Sequence, residues 1–171
     1  MSNPNLTPVS YVVLGLVAHG ATTAYDMKQK VAGSVGYFWN FPHSQLYAEP
    51  ARLVELGLLV EAQEQSGRRR RLFSITEAGR RALDEWLHEP ATEPTQIRDT
   101  GLLKLFFGDS LTREEVAALA EAQERAHRER FAAYEAIEQT IEEPRHADTL
   151  RAGLLFERTF ADFWREIATR P

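Results

Sequence analysis

Polar side chains suited to DNA recognition lie along one predicted helix in the first half of the chain. Small or planar side chains, with few carboxylates among them, occur at His43, Ser44, Gln45, Tyr47, Ala48 and Arg52. Such groups can enter a major groove and bond to base edges. Leu46 and Leu53 predict a buried opposite side, and Gly57 supplies the left-handed residue that ends a helix. The sequence therefore predicts a recognition helix.

Pro50 falls inside this predicted helix, beyond its first turn. Proline lacks a backbone donor and its ring collides with the preceding turn, so we expect the helix to kink or to restart there. The part that contacts DNA, residues 44–48, would then precede the kink.

A basic hairpin is predicted directly after the recognition helix. The apolar-rich runs 58–63 and 72–76 indicate two strands, with a turn at 65–67. The residues that follow the turn are Arg68, Arg69, Arg70 and Arg71. Arginines at a hairpin tip can neutralise phosphates and make DNA binding salt-dependent. A solvated loop is the alternative for the arginine run alone, but its position after a Gly-capped helix favours a winged helix-turn-helix.

Two helices are predicted ahead of the recognition helix. Thr7 and Pro8 start the first helix, whose apolar face belongs to the core. The second is capped by Thr22 or Thr23. The candidate contacts from this region are Thr22, Thr23, Tyr25 and Lys28. Three adjacent aromatics, residues 37–39, are expected to pin the next connection to the core.

Charge and composition change near residue 88. Residues 1–88 carry nine Lys and Arg against eight Asp and Glu, whereas residues 89–171 carry eleven against seventeen. The net charge of −5 therefore arises in the second half, and the first half can present a basic face. With a proline-bounded linker at 89–94, we predict a winged helix-turn-helix DNA-binding domain, 1–88, and a helical dimerisation domain, 89–171. The predicted fold class is mainly α with a small β-hairpin wing.

Three helices are predicted in the second domain. Residues 98–108 form a short helix that is too apolar to be left exposed. Thr112 and Glu115 form a capping box, and the helix that they open can reach about Glu142 with a weak coiled-coil seam. The last helix spans about 146–168.

The apolar residues of the last helix cover more than one face. An outer helix of a small monomer needs one apolar stripe, so this breadth predicts burial on a second side by a second copy of the chain. The candidate dimerisation residues are Leu150, Leu154, Phe156, Phe160, Phe163, Trp164 and Ile167. Trp86 and Trp164 are also candidates for an apolar effector pocket, although plain packing is the commoner use of such aromatics.

Several function classes are disfavoured by the sequence. The chain has no cysteine, and its five histidines lack metal-ligand spacing. Without a Gly-rich phosphate loop or a nucleophile elbow, we predict neither an enzyme nor a cofactor or metal site. His127 and Glu124, one helical turn apart, are interpreted as a solvated pair. The sequence contains no run of the roughly 20 apolar residues that a membrane span needs and no signal-peptide pattern, so a cytoplasmic protein is expected.

The chain resembles the PadR-like transcriptional regulators, in the subgroup whose helical C-terminal domain is similar to that of virulence-activator-like proteins. The resemblance covers nearly the whole chain and is most specific at Ser44-Gln45-Leu46-Tyr47, Arg52-Leu53, Gly57-Leu58-Leu59 and residues 70–80. It implies a homodimer that binds an inverted-repeat operator in double-stranded DNA, usually as a repressor. In some members a small molecule such as a phenolic compound releases the DNA. A winged helix that binds protein instead of DNA is the rival interpretation, and weak salt dependence of binding would favour it.

Overall fold

Seven α-helices, a short 3-10 helix and a two-stranded antiparallel hairpin make up the part of the chain that the structure describes. The structure is a computed structural model, and it describes residues 5–32, 34–39, 42–64, 69–92, 94–139 and 141–170. The elements are α1 Pro8–Ala18, α2 Ala24–Ala32, the 3-10 helix Val35–Tyr37, α3 His43–Glu55, β1 Leu59–Gln63, β2 Arg71–Ile75, α4 Glu77–His88, α5 Thr100–Phe106, α6 Arg113–Glu138 and α7 Pro144–Thr169. The predicted fold class is confirmed. The chain divides into two compact units, Met1–Glu93 and Pro94–Pro171.

The first two helices begin at the predicted threonines, Thr7 and Thr23. At the start of α1, the hydroxyl of Ser10 accepts a hydrogen bond from the N–H of Thr7 at 2.9 Å. The Thr23 hydroxyl accepts from the N–H of Asp26 at 3.1 Å, and the Asp26 carboxylate accepts from the N–H of Thr23 at 2.9 Å. This reciprocal pair satisfies two backbone donors that the start of α2 would otherwise leave free.

The recognition helix α3 is continuous through Pro50. The prediction that the helix restarts at this residue is therefore wrong. The Pro50 side chain is fully buried, as are Leu46 and Leu53 on either side of it. Burial of all three on one face offsets the backbone hydrogen bond that proline cannot make. The predicted end is confirmed, because Gly57 has a φ of +71°, which favours glycine.

The hairpin β1–β2 pairs Leu59 with Ile75 at its base and Gln63 with Arg71 towards its tip. Phe73 is buried, and its N–H donates to the carbonyl of Thr22 at 2.7 Å, which ties the hairpin to the segment before α2. A Cβ on Gly79 would lie 2.1 Å from the carbonyl oxygen of Leu58, so only glycine permits this approach of α4 to the hairpin.

Buried residues of α1, α2, α3 and the hairpin, with those of the adjoining segments, form the core of the first unit. Its buried members are Val13, Leu14, Leu16, Val17, Ala21, Met27, Val31, Leu46, Leu53, Leu58, Leu59 and Phe73. Partly buried residues of α4, including Ala82 and Leu83, pack against them. The winged helix is thus one continuous apolar core with α3 and the hairpin on its surface.

Two long helices, α6 and α7, form most of the second unit. They lie antiparallel, because Arg113 contacts Arg170 near one end whereas a Cβ on Gly153 would lie 3.0 Å from the Tyr134 ring towards the other. The predicted seam of α6 is buried at Ala120, His127 and Tyr134, and it packs on α7 of the same chain. The capping box of α6 is confirmed, but the helix ends at Glu138, and Pro144 is already the first residue of α7.

His127 lies in the seam and not on the surface. Its Nδ1 is 2.5 Å from Oε2 of Glu157, and both side chains are almost fully buried. The Nε of Arg130 donates to the same carboxylate oxygen at 3.1 Å. The predicted solvated pair of His127 with Glu124 is therefore wrong. Ala120, His127 and Tyr134 are spaced seven residues apart, so they lie on one face of α6, and this face packs on α7.

Much of the predicted dimerisation surface on α7 is covered by its own chain. Trp164 is fully buried, and Leu150 and Ile167 are 8% exposed, so their own chain already covers these three side chains. Phe160, Phe163 and Leu154 are partly buried, whereas Phe156 is 39% exposed. The short helix α5 was predicted to be covered, but Leu103 and Phe106, and Phe107 just after it, are exposed in the single chain.

Within the described residues, the structure contains no helix that is long and apolar enough to cross a membrane.

We expect Glu157→Ala to lower the free energy of unfolding by about 3 kcal/mol, because it leaves the buried His127 without its carboxylate partner. Urea unfolding followed by circular dichroism measures the change. Glu166→Ala is the matched control, since the Glu166–Arg170 pair is exposed and its loss should change the stability by no more than about 0.5 kcal/mol. Equal effects of the two substitutions would contradict a structural role for the buried pair.

Candidate nucleic-acid interface

The exposed face of α3 carries most of the predicted base-contacting residues. Ser44, Gln45, Tyr47 and Ala48 are exposed, and Tyr47 is 53% accessible. His43 is the first residue of the helix, but its side chain lies outside the described part of the structure. The opposite face is fixed in the core by Leu46 and Leu53. The structure therefore brings four of the predicted contacts together on one accessible surface, which we call the recognition face.

Arg52 does not belong to the recognition face. Its guanidinium donates to the carboxylate of Glu49 at 3.0 Å, to the hydroxyl of Ser10 at 3.1 Å and to the carbonyl of Asn5 at 3.3 Å. Ser10 is fully buried and donates to Glu49 at 2.6 Å. This network holds α3 on α1 and gives Arg52 a structural role, and a DNA contact by Arg52 stays a prediction. We call these bonds the Ser10–Glu49–Arg52 network.

The candidate contacts around α2 fall into two groups. Tyr25 and Lys28 are exposed on the helix, and the hydroxyl of Tyr25 accepts a hydrogen bond from Gln29 at 2.8 Å. Thr22 is exposed and donates to the Asp26 carboxylate at 3.1 Å. Thr23 is only 6% exposed and serves as the helix cap. Thr23 is therefore corrected from a DNA contact to a structural residue.

The wing, here residues 59–75, presents its arginines unequally. Arg68 lies outside the described residues. Arg69 is exposed and adopts a φ of +51°. Arg70 and Arg71, in contrast, form ion pairs across the hairpin with Glu64 and Glu61. All four arginines were predicted to neutralise phosphates, but in the described part of the wing only Arg69 shows no ion pair.

Carboxylates in the wing change the chemistry of its arginines. Hydrogen bonds from Arg71 lower the pKa of Glu61, and those from Arg70 lower the pKa of Glu64. The same contacts raise the pKa of each arginine. Both carboxylates therefore stay ionised at neutral pH and occupy donors that a phosphate would otherwise use.

Sequence reasoning missed the polar partners and two exposed aromatics. Phe38 and Trp39 are 60% and 44% exposed, so the expectation that the aromatic connection is pinned to the core fails for both. The glutamates of the wing could have been found from strand pairing, since Glu61 lies opposite Phe73 and near Arg71 on the same face. No pattern in the sequence pointed to Ser10, which lies 39 residues from Glu49.

The two tryptophans proposed for an effector pocket have other neighbours. Trp86 stacks on Tyr11, with ring centroids 4.5 Å apart and planes at 6°. Trp164 is fully buried among helices of the second unit, so it lines no accessible pocket there. Their assignment to a common pocket is not supported. In the described residues, no group of three His, Asp or Glu side chains could hold a metal ion.

Two family models together match most of the chain. Residues 13–85 match the transcriptional regulator PadR-like family, and residues 97–170 match the virulence activator alpha C-terminal domain. The negative transcriptional regulator PadR of Bacillus subtilis is 29% identical over 119 residues. That alignment covers 67% of this chain and 64% of PadR, so the chain spans somewhat less than two thirds of this relative's length.

Solved structures of relatives share the fold over nearly the whole chain. The Vibrio cholerae virulence activator AphA is 30% identical with a TM-score of 0.65, and the match covers 94% of this chain and 95% of AphA. Bacillus subtilis PadR in complex with operator DNA gives a TM-score of 0.85 at 23% identity, covering 95% and 98% of the two chains. PadR in complex with p-coumaric acid gives 0.78 at 24% identity, covering 94% and 96%. The match to AphA supports common ancestry, and the two PadR structures show the same fold.

We expect Glu49→Ala to lower the free energy of unfolding by about 1 to 3 kcal/mol, because the buried Ser10 hydroxyl loses its acceptor and the Arg52 guanidinium loses its carboxylate partner. Chemical denaturation provides the measurement. Glu55→Ala, an exposed substitution in the same helix, should change the stability by no more than about 0.5 kcal/mol. A loss at Glu49 no larger than that at Glu55 would show that the network does not fix α3.

Proposed function

The chain belongs to the PadR-like family of transcriptional regulators, and on this premise we propose that it is a homodimer that binds double-stranded operator DNA and represses transcription. A regulator of this kind is not an enzyme. The compartment that we propose is the cytoplasm.

The observation that carries the proposal is the division of α3 into two faces. One face is fixed by Leu46, Leu53 and the Ser10–Glu49–Arg52 network, and the other presents Gln45 and Tyr47 to solvent. A helix rigid on one side and polar on the other can enter a major groove without reorganising. The complex of Bacillus subtilis PadR with operator DNA supports this use of the shared fold.

Contacts to the DNA backbone are proposed for the residues that flank the recognition face. Lys28 on α2 and Arg69 in the wing are exposed cations, and Thr22 and Tyr25 are exposed hydrogen-bonding groups. Phosphate contacts position a protein on the duplex and carry little sequence information. Base discrimination is therefore proposed for α3 and non-specific affinity for α2 and the wing.

Dimerisation is proposed through the apolar surface that the second unit leaves uncovered. Leu155 and Phe156 on α7 are 48% and 39% exposed. On α5, Leu103 and Phe106 are 57% and 77% exposed. Large apolar groups exposed together are a mark of an interaction surface. A two-fold dimer would present two recognition helices to an inverted-repeat operator.

A small-molecule effector is also part of the proposal. The complex of PadR with p-coumaric acid supports an effector for this chain, though not its identity. A cleft of about 370 Å³ in the second unit is lined by apolar residues of three helices and by two arginines: Leu105, Arg113, Val116, Ala117, Ile167, Ala168 and Arg170. Clefts of this size accept small ligands. It replaces the two tryptophans as the candidate effector site.

We expect Gln45→Ala and Tyr47→Ala to reduce discrimination between operator and unrelated DNA by about 1 to 3 kcal/mol each, where a base contact is lost. Sequences selected from a random duplex pool supply the operator, and competition binding supplies the discrimination. Lys28→Ala is the control, because loss of a phosphate contact should weaken binding to both DNAs alike. Folded α3 variants that keep the wild-type preference would show that α3 does not read the sequence.

We expect Leu155→Glu to convert the dimer into a monomer at micromolar concentration, because it places a charge in the proposed apolar interface. Light scattering on the full chain gives the mass. Ala118→Glu adds the same charge at an exposed position of α6 and should leave the dimer intact. A wild-type monomer, or a dimer unaffected by Leu155→Glu, would contradict the proposed interface.

A further inference from the structure

We propose that Glu61 and Glu64 limit the affinity of the wing for DNA by occupying the guanidinium groups of Arg71 and Arg70. This inference rests on the DNA binding proposed above and concerns how strongly the same site binds. It assigns a role to two carboxylates that a phosphate-binding hairpin would not be expected to contain.

The Arg71–Glu61 pair has the geometry of a phosphate contact. The Nε of Arg71 donates to Oε1 of Glu61 at 2.6 Å, and its Nη2 donates to Oε2 at 2.5 Å. The guanidinium also lies over the ring of Phe73, 5.4 Å from its centroid. Two parallel hydrogen bonds are the arrangement in which arginine binds phosphate. The carboxylate of Glu61 therefore occupies the donor edge that a phosphate would need.

The Arg70–Glu64 pair repeats this geometry one residue nearer the tip. The Nε and Nη2 of Arg70 donate to the two carboxylate oxygens of Glu64 at 3.2 Å and 3.0 Å. The backbone supports the pair, since the N–H of Glu64 donates to the carbonyl of Arg70 at 3.0 Å. The negative charge of Asp26 acts on the same arginine and raises its pKa further.

The two ion pairs are partly exposed, so a phosphate can take the place of the carboxylate. The side chains of Arg70 and Arg71 are 58% and 50% exposed, and those of their glutamates are 27% and 28% exposed. Water and salt screen such pairs, so a phosphate can displace the carboxylate at a modest cost. Each glutamate thus lowers the affinity without abolishing it. Neutralising a glutamate frees its arginine for phosphate.

The test measures binding of the full chain to a mixed-sequence duplex across a salt titration. We expect the double variant E61Q/E64Q to bind roughly threefold to thirtyfold more tightly at low salt, with a steeper dependence of affinity on salt, because more phosphates are neutralised. E85Q/E89Q removes the same two charges from exposed positions in and just after α4 and is the matched control. The control should gain less than about twofold.

A glutamate could weaken DNA binding by occupying the arginine or by repelling the phosphate directly. Measuring its effect in a variant that lacks the arginine distinguishes the two. If Glu64 acts through Arg70, E64Q should tighten binding in the wild type but not in the R70A variant. The same comparison of E61Q with R71A tests the other pair. Thermal melting of each variant checks that the first unit stays folded.

Each outcome has one meaning. Unchanged affinity in E61Q/E64Q, a gain no larger than that of E85Q/E89Q, or an equal gain from E64Q with and without Arg70 would overturn the inference while the proposed function stands. A wild-type chain that binds no duplex at any salt concentration overturns the proposed function, and the inference with it.

Discussion

Attachment of α3 to α1 is the constraint on which the recognition face depends. Leu46 and Leu53 are fully buried, and burying a leucine side chain stabilises a fold by about 1.5 to 3 kcal/mol. Burial of one apolar face sets the rotation of a helix about its own axis only approximately. Glu49 and Arg52 fix the rotation of α3 more closely, because their hydrogen bonds to Ser10 on α1 are directional. The exposed side chains of α3 are therefore presented in a fixed orientation.

Caps, turns and periodicity in the sequence predicted the elements, because these signals depend only on neighbouring residues. Thr23, Gly57 and Thr112 each end or begin a helix as expected. The partners of long charged side chains depend on how elements pack, so they could not be predicted in the same way. Arg52 and His127 both bond to residues on another helix. The solvated pair predicted for His127 was wrong for this reason, and the bonds that Arg52 makes to α1 were not foreseen.

Local pairing of opposite charges also explains why net charge is a poor guide to this surface. The first half of the chain is nearly neutral, yet its acids and bases are not distributed evenly. Glu61 and Glu64 lie beside arginines of the wing, and Glu49 lies beside Arg52. Arg69 and Lys28 are left exposed without such a pair in the described residues. The positive surface available to a polyanion is therefore smaller than the arginine run indicates.

The breadth of the apolar band on α7 has two separate causes. Trp164, Ile167 and Leu150 are covered within their own chain, so they stabilise the second unit. Leu155 and Phe156, by contrast, remain exposed in the single chain. A sequence pattern records how many sides of a helix are apolar but not which neighbour covers each side. The side covered within the chain fixes the helix pair, and the uncovered side, with the exposed aromatics of α5, leaves apolar surface that a second copy can bury.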